Sequence, residues 1–331
     1  MIGAHHSSAA SRGWPVTVAR WLAALIVLGL LLHFLPFAPL RAALARIPLA
    51  RFLAVLIGYL LAHALGIAKW RMVVNTAGAE LDFATSAQCY AGGLFGTLFL
   101  PSIIGGDVVR LAVGLRRSPR PAAVLAGNIA DRFLDVAAQA GLVLLGLLLL
   151  PGSLPSQLRV PAREMLFALG GVTLVVLALI LLLYRALLGG RSIHFRRRLA
   201  RLRPALRCVS GRPQILILGW LMGTLIQSTF LILTALLAVS CGLVLPLRIW
   251  LFAWPLAKLA AVLPLTQGGI GVREAALVAL LAPFGAAAPL VLAAGLVWEG
   301  VIIAGGLIAG AVTFLLRRAE SSSTGCGDSI Y

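Results

Sequence analysis

Apolar residues recur in long runs along nearly the whole chain, separated by short clusters of arginine. Runs at roughly 16–36, 50–69, 121–150, 163–188, 214–243 and 286–316 each approach or exceed the length that crosses a hydrocarbon core, and each predicts a full transmembrane helix. Two further runs, at about 83–115 and 247–283, are broken at the centre by a proline and a glycine pair: Pro101, Gly105 and Gly106 in the first, Pro264, Gly268 and Gly269 in the second. Such breakers free backbone groups that lipid cannot satisfy, so each run predicts a re-entrant helix–break–helix hairpin buried in protein. The expected fold class is an all-α integral membrane protein with about six full spans and two broken-helix hairpins.

Composition excludes an ordinary soluble domain. The chain is 61% hydrophobic and 11% charged, against roughly a quarter charged in soluble proteins. The net charge of +18 comes from 26 arginines and only two lysines, Lys69 and Lys258. These arginines lie between apolar spans, which points to cytoplasmic loops and anionic lipid rather than nucleic acid. The densest cluster, the loop 189–213 with Arg196, Arg197 and Arg198, is placed in the cytoplasm. Counting two spans back from there puts Arg116, Arg117 and Arg120 on the same side, and Arg317 and Arg318 join them if both hairpins return to the face they entered. Lys69 and Arg71 then join them, both termini are cytoplasmic, and only Arg41, Arg46 and Arg51 fall on the wrong face.

The chain is therefore divided into a cytoplasmic tail at 1–15, a transmembrane domain at 16–318 and a tail at 319–331 that reads as disordered. Within the basic loop, Phe195, Leu199, Leu202 and Leu206 recur at helical spacing between arginines and predict an interfacial helix bent at Pro204. A solvated positive-inside loop is the alternative. The four cysteines form neither a disulfide framework nor a metal site. Glycine pairs at 92/96, 219/223 and 306/310 predict close helix packing and leave a homodimer open. His33 and His63 read as packed side chains, and Gln227 as interhelical glue.

The two broken runs are related. Pro101-Ser-Ile-Ile-Gly105-Gly106-Asp-Val-Val-Arg110 and Pro264-Leu-Thr-Gln-Gly268-Gly269-Ile-Gly-Val-Arg273 share the pattern Pro-x3-Gly-Gly-x3-Arg. Downstream, Pro121-x5-Gly127-x3-Asp131 is echoed by Pro289-x5-Gly295-x3-Glu299. With the topology above, a repeat at about 50–150 and another at about 214–317 enter from opposite faces. Inverted repeats with interrupted helices build central sites reachable from either side of a membrane.

Intramembrane charge supplies the candidate site. Asp107, Asp131, Asp135, Glu274 and Glu299 are five of the ten acidic residues in the chain, and Arg110, Arg132, Lys258 and Arg273 accompany them. A charge at mid-membrane costs about 2.5–3.5 kcal/mol, so it pairs, faces water or serves function. Asp131 and Asp135, four apart, share one helix face. Arg110 and Arg273 follow their glycine pairs at a half-helix N-terminus, a favourable place for a phosphate. These residues are expected to bind an anionic head group, passed between Arg110 and Arg273, with Asp131 and Glu299 balancing the arginines in its absence. The other reading is that they only lock the two repeats together. No cofactor or metal is called for, and no Walker A, HExxH or DDxxD motif points to an enzyme.

The segments Phe99–Arg110, Ala130-Asp131-Arg132-Phe133 and Gly268-Gly269-Ile270-Gly271-Val272-Arg273-Glu274 resemble the flippase-like transmembrane region of the lysylphosphatidylglycerol synthase family, over roughly 16–318. The resemblance implies lipid movement rather than aminoacyl transfer, which in that family belongs to a separate soluble domain not expected here. It extends to stand-alone members linked to hopanoid or glycolipid pathways. An accessory subunit with a lipid-synthesis partner, or a membrane-embedded lipid-modifying enzyme, therefore stays open beside a flippase in the plasma membrane.

Overall fold

The computed structural model describes residues 37–100, 104–150, 193–261 and 269–325. The predicted spans at 16–36 and 163–188, and Pro101, Pro264 and Gly268, lie outside them. Among the described residues every regular element is helical: α1 Phe37–Ala45, α2 Leu49–Thr76, α3 Phe83–Thr97, α4 Ile104–Arg117, α5 Pro121–Leu148, α6 Ile193–Ser210, α7 Pro213–Ser240, α8 Leu247–Ala260, α9 Val272–Leu281, a 3-10 turn at Ala282–Phe284, and α10 Ala288–Gly325.

Among the described residues three helices, α2, α7 and α10, are long and apolar enough to cross a membrane. The 28 residues of α2 and α7 reach about 42 Å at 1.5 Å per residue, more than a bilayer core needs. Their outward sides are apolar: Leu53, Ile57 and Leu61 on α2 and Ile217, Leu221 and Leu225 on α7 are exposed at four-residue spacing. In water such stripes would be costly; lipid covers them without penalty. Helix α5 has the same 28-residue length but carries Asp131, Arg132 and Asp135 at its centre.

The two broken runs each fold as a pair of short helices. With 15 and 14 residues, α3 and α4 span only about 20 Å each, and α8 and α9 are no longer. Partners within each pair pack on each other. Asp82 caps α3, accepting from the backbone N–H of Ala84 and Thr85 at 3.1 and 3.3 Å. The Thr85 side chain holds the Asp82 carboxyl below the usual carboxylate range. Pro121 and Pro213 open α5 and α7 at the first turn, where a missing N–H costs nothing.

Gly105 and Gly106 lie inside the first turn of α4, where the sequence pattern suggested a break. Their role is close packing: a Cβ at Gly106 would sit 2.5 Å from the Gly93 carbonyl oxygen on α3. In the second run Gly269 and Gly271 have positive φ, +79° and +83°, and the turn they form does precede α9. The paired glycines 96, 219, 306 and 310 face side chains of this same chain, Val109, Leu134, Leu98 and Phe95. Helix α10 continues to Gly325, into the stretch whose composition suggested a disordered tail, because Arg317–Glu320 are good helix formers on the end of a stable span.

Contacts within and between the halves 49–148 and 213–325 fall into matched sets. Helices α2 and α7 pack on each other; α3 packs on α10 and α8 on α5; α4 packs on α5 and α9 on α10. Exchanging the halves maps each contact onto another. The larger core gathers Tyr59, Phe230, Trp250, Trp254 and Trp298. A smaller one joins Trp70, Val74, Cys89 and Val124 to Ala205 and Val209 of α6. Leu202 packs there too. The inward face of α6 is thus Leu202, Ala205 and Val209, while Leu206, predicted to share that face, is 38% exposed.

Candidate functional site

Helix α5 presents Asn128, Asp131, Arg132, Asp135 and Gln139 along one side, at the spacings that stack on a helix. Two other helices bring charge or hydrogen bonds to that side. Lys69 of α2 places Nζ 3.0 Å from Asp131 and also pairs with Asp135. Arg110 of α4 reaches Asp107 at 2.9 Å and Asp131 at 3.5 Å. Arg132 reaches Asp107 at 3.2 Å, Asp131 at 3.3 Å and Asp135 at 3.1 Å. Three cations and three carboxylates therefore alternate in one network and neutralise one another. Aromatic rings frame it: the Arg110 guanidinium lies 5.4 Å from the Trp70 ring and 5.1 Å from Tyr90, while Trp70 Nε1 donates to Asn128 Oδ1 at 3.1 Å.

The network forms one wall of a cavity of about 510 Å³. Its opposite wall is Gln227 and Phe230 of α7 and Lys258 of α8. Lys258 is the odd charge. Its Nζ donates to the neutral Gln227 Oε1 at 2.8 Å and lies 5.3 Å from the Phe230 ring, and among the described residues no carboxylate lies within ion-pair distance. Among the buried polar atoms of its lining residues, Nε of Arg110, Nε of Arg132, Oδ1 of Asp131 and Oε1 of Gln139 have no hydrogen-bond partner. The cavity lining therefore holds one more cation than carboxylate. Val108 and Val136 line it and are also 59% and 50% exposed on the outside of the bundle.

The equivalent residues of the second half form a separate cluster. Arg273 is buried between two carboxylates, donating to Glu274 Oε1 from Nε at 3.0 Å and to Glu299 Oε2 at 2.8 Å. Glu274 also accepts from the Gly271 backbone N–H at 2.7 Å. Gly295 makes room for it, since a Cβ there would lie 2.8 Å from Glu274 Cγ. This cluster does not line the cavity. Tyr59, Phe230, Trp254 and Trp298, in ring-to-ring contact at 5.4–5.9 Å, stand beside it.

Of the residues singled out in the sequence, Asp107, Arg110, Asp131, Arg132, Asp135 and Lys258 meet at the cavity, with Gly106 at its edge. Arg273, Glu274 and Glu299 meet one another elsewhere. Lys69, whose place in the sequence suggests a cytoplasmic loop charge, is instead 3% exposed and joins two carboxylates. The available signal was register: Tyr59, Ala62, Gly66, Lys69 and Val73 form the inward stripe of α2. Tyr90, Asn128 and Gln139 were missed as well, being polar residues inside otherwise apolar runs. His63 lines the cavity with its Nδ1 3.4 Å from the Tyr90 hydroxyl. Among the described residues no group of His, Cys, Asp and Glu is arranged to hold a metal ion.

No curated protein and no solved structure matches the chain. The family model of the lysylphosphatidylglycerol synthase TM region matches residues 18–310, nearly the whole helical domain, and the chain belongs to that family of membrane proteins with a lipid-related role.

Proposed function

We propose that this protein translocates an anionic lipid across the plasma membrane, its head group passing through the cavity between α5 and α8. The observation that carries this reading is Lys258: a cation without a carboxylate partner, in a cavity whose other charges neutralise one another. An unpaired charge inside a membrane protein is costly and marks a substrate path by default. An anionic head group would neutralise Lys258. Val108 and Val136 then give the acyl chains an apolar exit between α4 and α5 into the surrounding lipid.

Movement from one face to the other rests on the matched contacts of the two halves and on the shared Pro-x3-Gly-Gly-x3-Arg motif. We read these as an inverted repeat with two re-entrant hairpins, α3–α4 and α8–α9, and with both termini in the cytoplasm. Rocking one pair against the other would open the cavity to each face in turn. The protein's own part is electrostatic and positional; no covalent step is proposed.

The test is translocation of a fluorescent phosphatidylglycerol in proteoliposomes of zwitterionic lipid, read by quenching from outside. Wild-type protein should move the probe, and Lys258→Gln should not. If well-folded wild-type protein binds the probe yet leaves it in its original leaflet, an accessory role in lipid synthesis replaces this reading.

A further inference from the structure

The charges of the two clusters do not balance separately. Around the cavity, three cations face three carboxylates and Lys258 is left over. In the second cluster one guanidinium serves two carboxylates, leaving one negative charge. The five cations and five carboxylates balance only when both sites are taken together.

The structure points to which carboxylate carries the surplus. Glu274 is fully engaged: one oxygen accepts two bonds from Arg273, the other accepts the Gly271 N–H, and the side chain is 1% exposed. Glu299 accepts a single bond from Arg273 and keeps 14% exposure. It lies near the middle of α10, the helix segment Ala288–Leu316 being long and apolar enough to cross the bilayer. The groups that face it are few. Helix α9 supplies Arg273 and Glu274, and α2 supplies the Tyr59 hydroxyl. Helices α3 and α7 carry no charged residue, α1 carries only the exposed Arg41, and the one charge on α8 near this region is Lys258.

We propose that Glu299 is a proton-binding site, and that one proton bound there accompanies each anionic head group bound at Lys258. The inference rests on the lipid-transport reading above. A hydronium ion gives up one O–H bond and leaves as water as its proton forms an O–H bond with the free oxygen of Glu299, while Arg273 stays paired with Glu274. That step neutralises the second cluster just as the head group neutralises the first. Aromatic rings link them: Lys258 lies over Phe230, Phe230 contacts Trp298, and Trp298 precedes Glu299 in the chain. Charges separated by such apolar material feel each other with little screening. A negative head group in the cavity therefore favours the proton at Glu299, and by linkage the proton favours the head group by the same factor. The pair moves as a neutral unit, so a pH gradient drives it and a membrane potential does not.

The full chain is reconstituted with fluorescent phosphatidylglycerol as probe, first under a pH gradient with the potential clamped, then under a potential with the pH equal. One coupled proton makes the equilibrium ratio of probe between leaflets change about tenfold per unit of pH difference. It also leaves that ratio unmoved by the potential. Glu299→Gln should keep probe binding and lose the pH response, and Glu299→Asp should retain it. Translocation by wild type without a pH response, or a full response in Glu299→Gln, overturns the proton site and leaves the lipid reading standing. If wild type moves no probe, infrared difference spectra decide on their own. A protonated-carboxyl band that grows as phosphatidylglycerol binds, and is missing in Glu299→Gln, supports the site; no such band in wild type overturns it.

Discussion

Lys69 Nζ lies 3.0 Å from Asp131 Oδ1, and the two side chains are 3% and 1% exposed. The pair ties α2 to α5 in the interior of the bundle. Breaking a buried pair by removing one partner is far more costly than never having built it, because the other charge is left without compensation.

Replacing Lys69 by Met should therefore destabilise the protein by about 3–5 kcal/mol. Arg132→Gln should cost less, since that side chain is 39% exposed and Lys69 and Arg110 continue to serve the carboxylates. The double variant Lys69→Met with Asp131→Asn should recover part of the loss. Thermal unfolding in detergent, followed by loss of monodispersity, measures all three.

Lys258 should behave in the opposite way. It is bound to a neutral amide, so Lys258→Gln leaves no orphaned carboxylate and should change stability little. Binding of fluorescent phosphatidylglycerol should fall at least tenfold, and binding of a zwitterionic probe should not change. Arginine should restore binding only in part, because its planar fork cannot occupy the place of a compact ammonium beside Gln227 and Phe230. Equal loss with both probes would mean that the lysine shapes the cavity rather than attracting charge.

Gly106→Ala should destabilise the α3–α4 pair by about 1–3 kcal/mol. The added methyl would meet the Gly93 carbonyl oxygen at 2.5 Å and Thr97 Cγ2 at 2.7 Å, and backbone cannot yield as a side chain can. Gly92→Ala, where the nearest atom is 3.9 Å away, is the control and should be tolerated.

Cys208 is exposed on α6, while Cys89 and Cys241 are buried. With Cys326 replaced, a membrane-impermeant maleimide should label Cys208 alone, and only from the cytoplasmic face. Labelling from the opposite face would reverse the orientation assigned from the arginine loop.

The features legible in the sequence were those written in strong local signals. Asp131 and Asp135 stood out because carboxylates are rare in apolar runs and a four-residue spacing puts them on one face. Asp131 and Glu299, expected to balance the arginines, lie 3.5 Å from Arg110 and 2.8 Å from Arg273. What the motif could not convey is that the two pairs belong to different clusters. Equivalent positions in a duplicated chain face their own partners, and only the crossing of α8 onto α5 decides which charge reaches the shared cavity. Lys258 has no charged counterpart at the matching place in α3, which holds Phe95, so symmetry gave no hint of it. Lys69 was misread because two residues later comes Arg71, and a pair of cations at a helix end ordinarily marks a loop. Gly105 and Gly106 were misread because the same residue that ends a helix also lets two helices touch.

The charged centre of α5 bears on how the chain is built during synthesis. Judged alone, α5 is a poor passenger for an insertion channel, with Asp131, Arg132 and Asp135 at mid-length. Its compensating cations outside its own sequence, Lys69 and Arg110, both lie earlier in the chain and have already been synthesised when α5 emerges. The same order holds in the second half, where Arg273 precedes Glu299. Each carboxylate-bearing helix thus enters the bilayer alongside a partner waiting for it, and a chain shortened to begin after α4 should leave α5 stranded at the membrane surface.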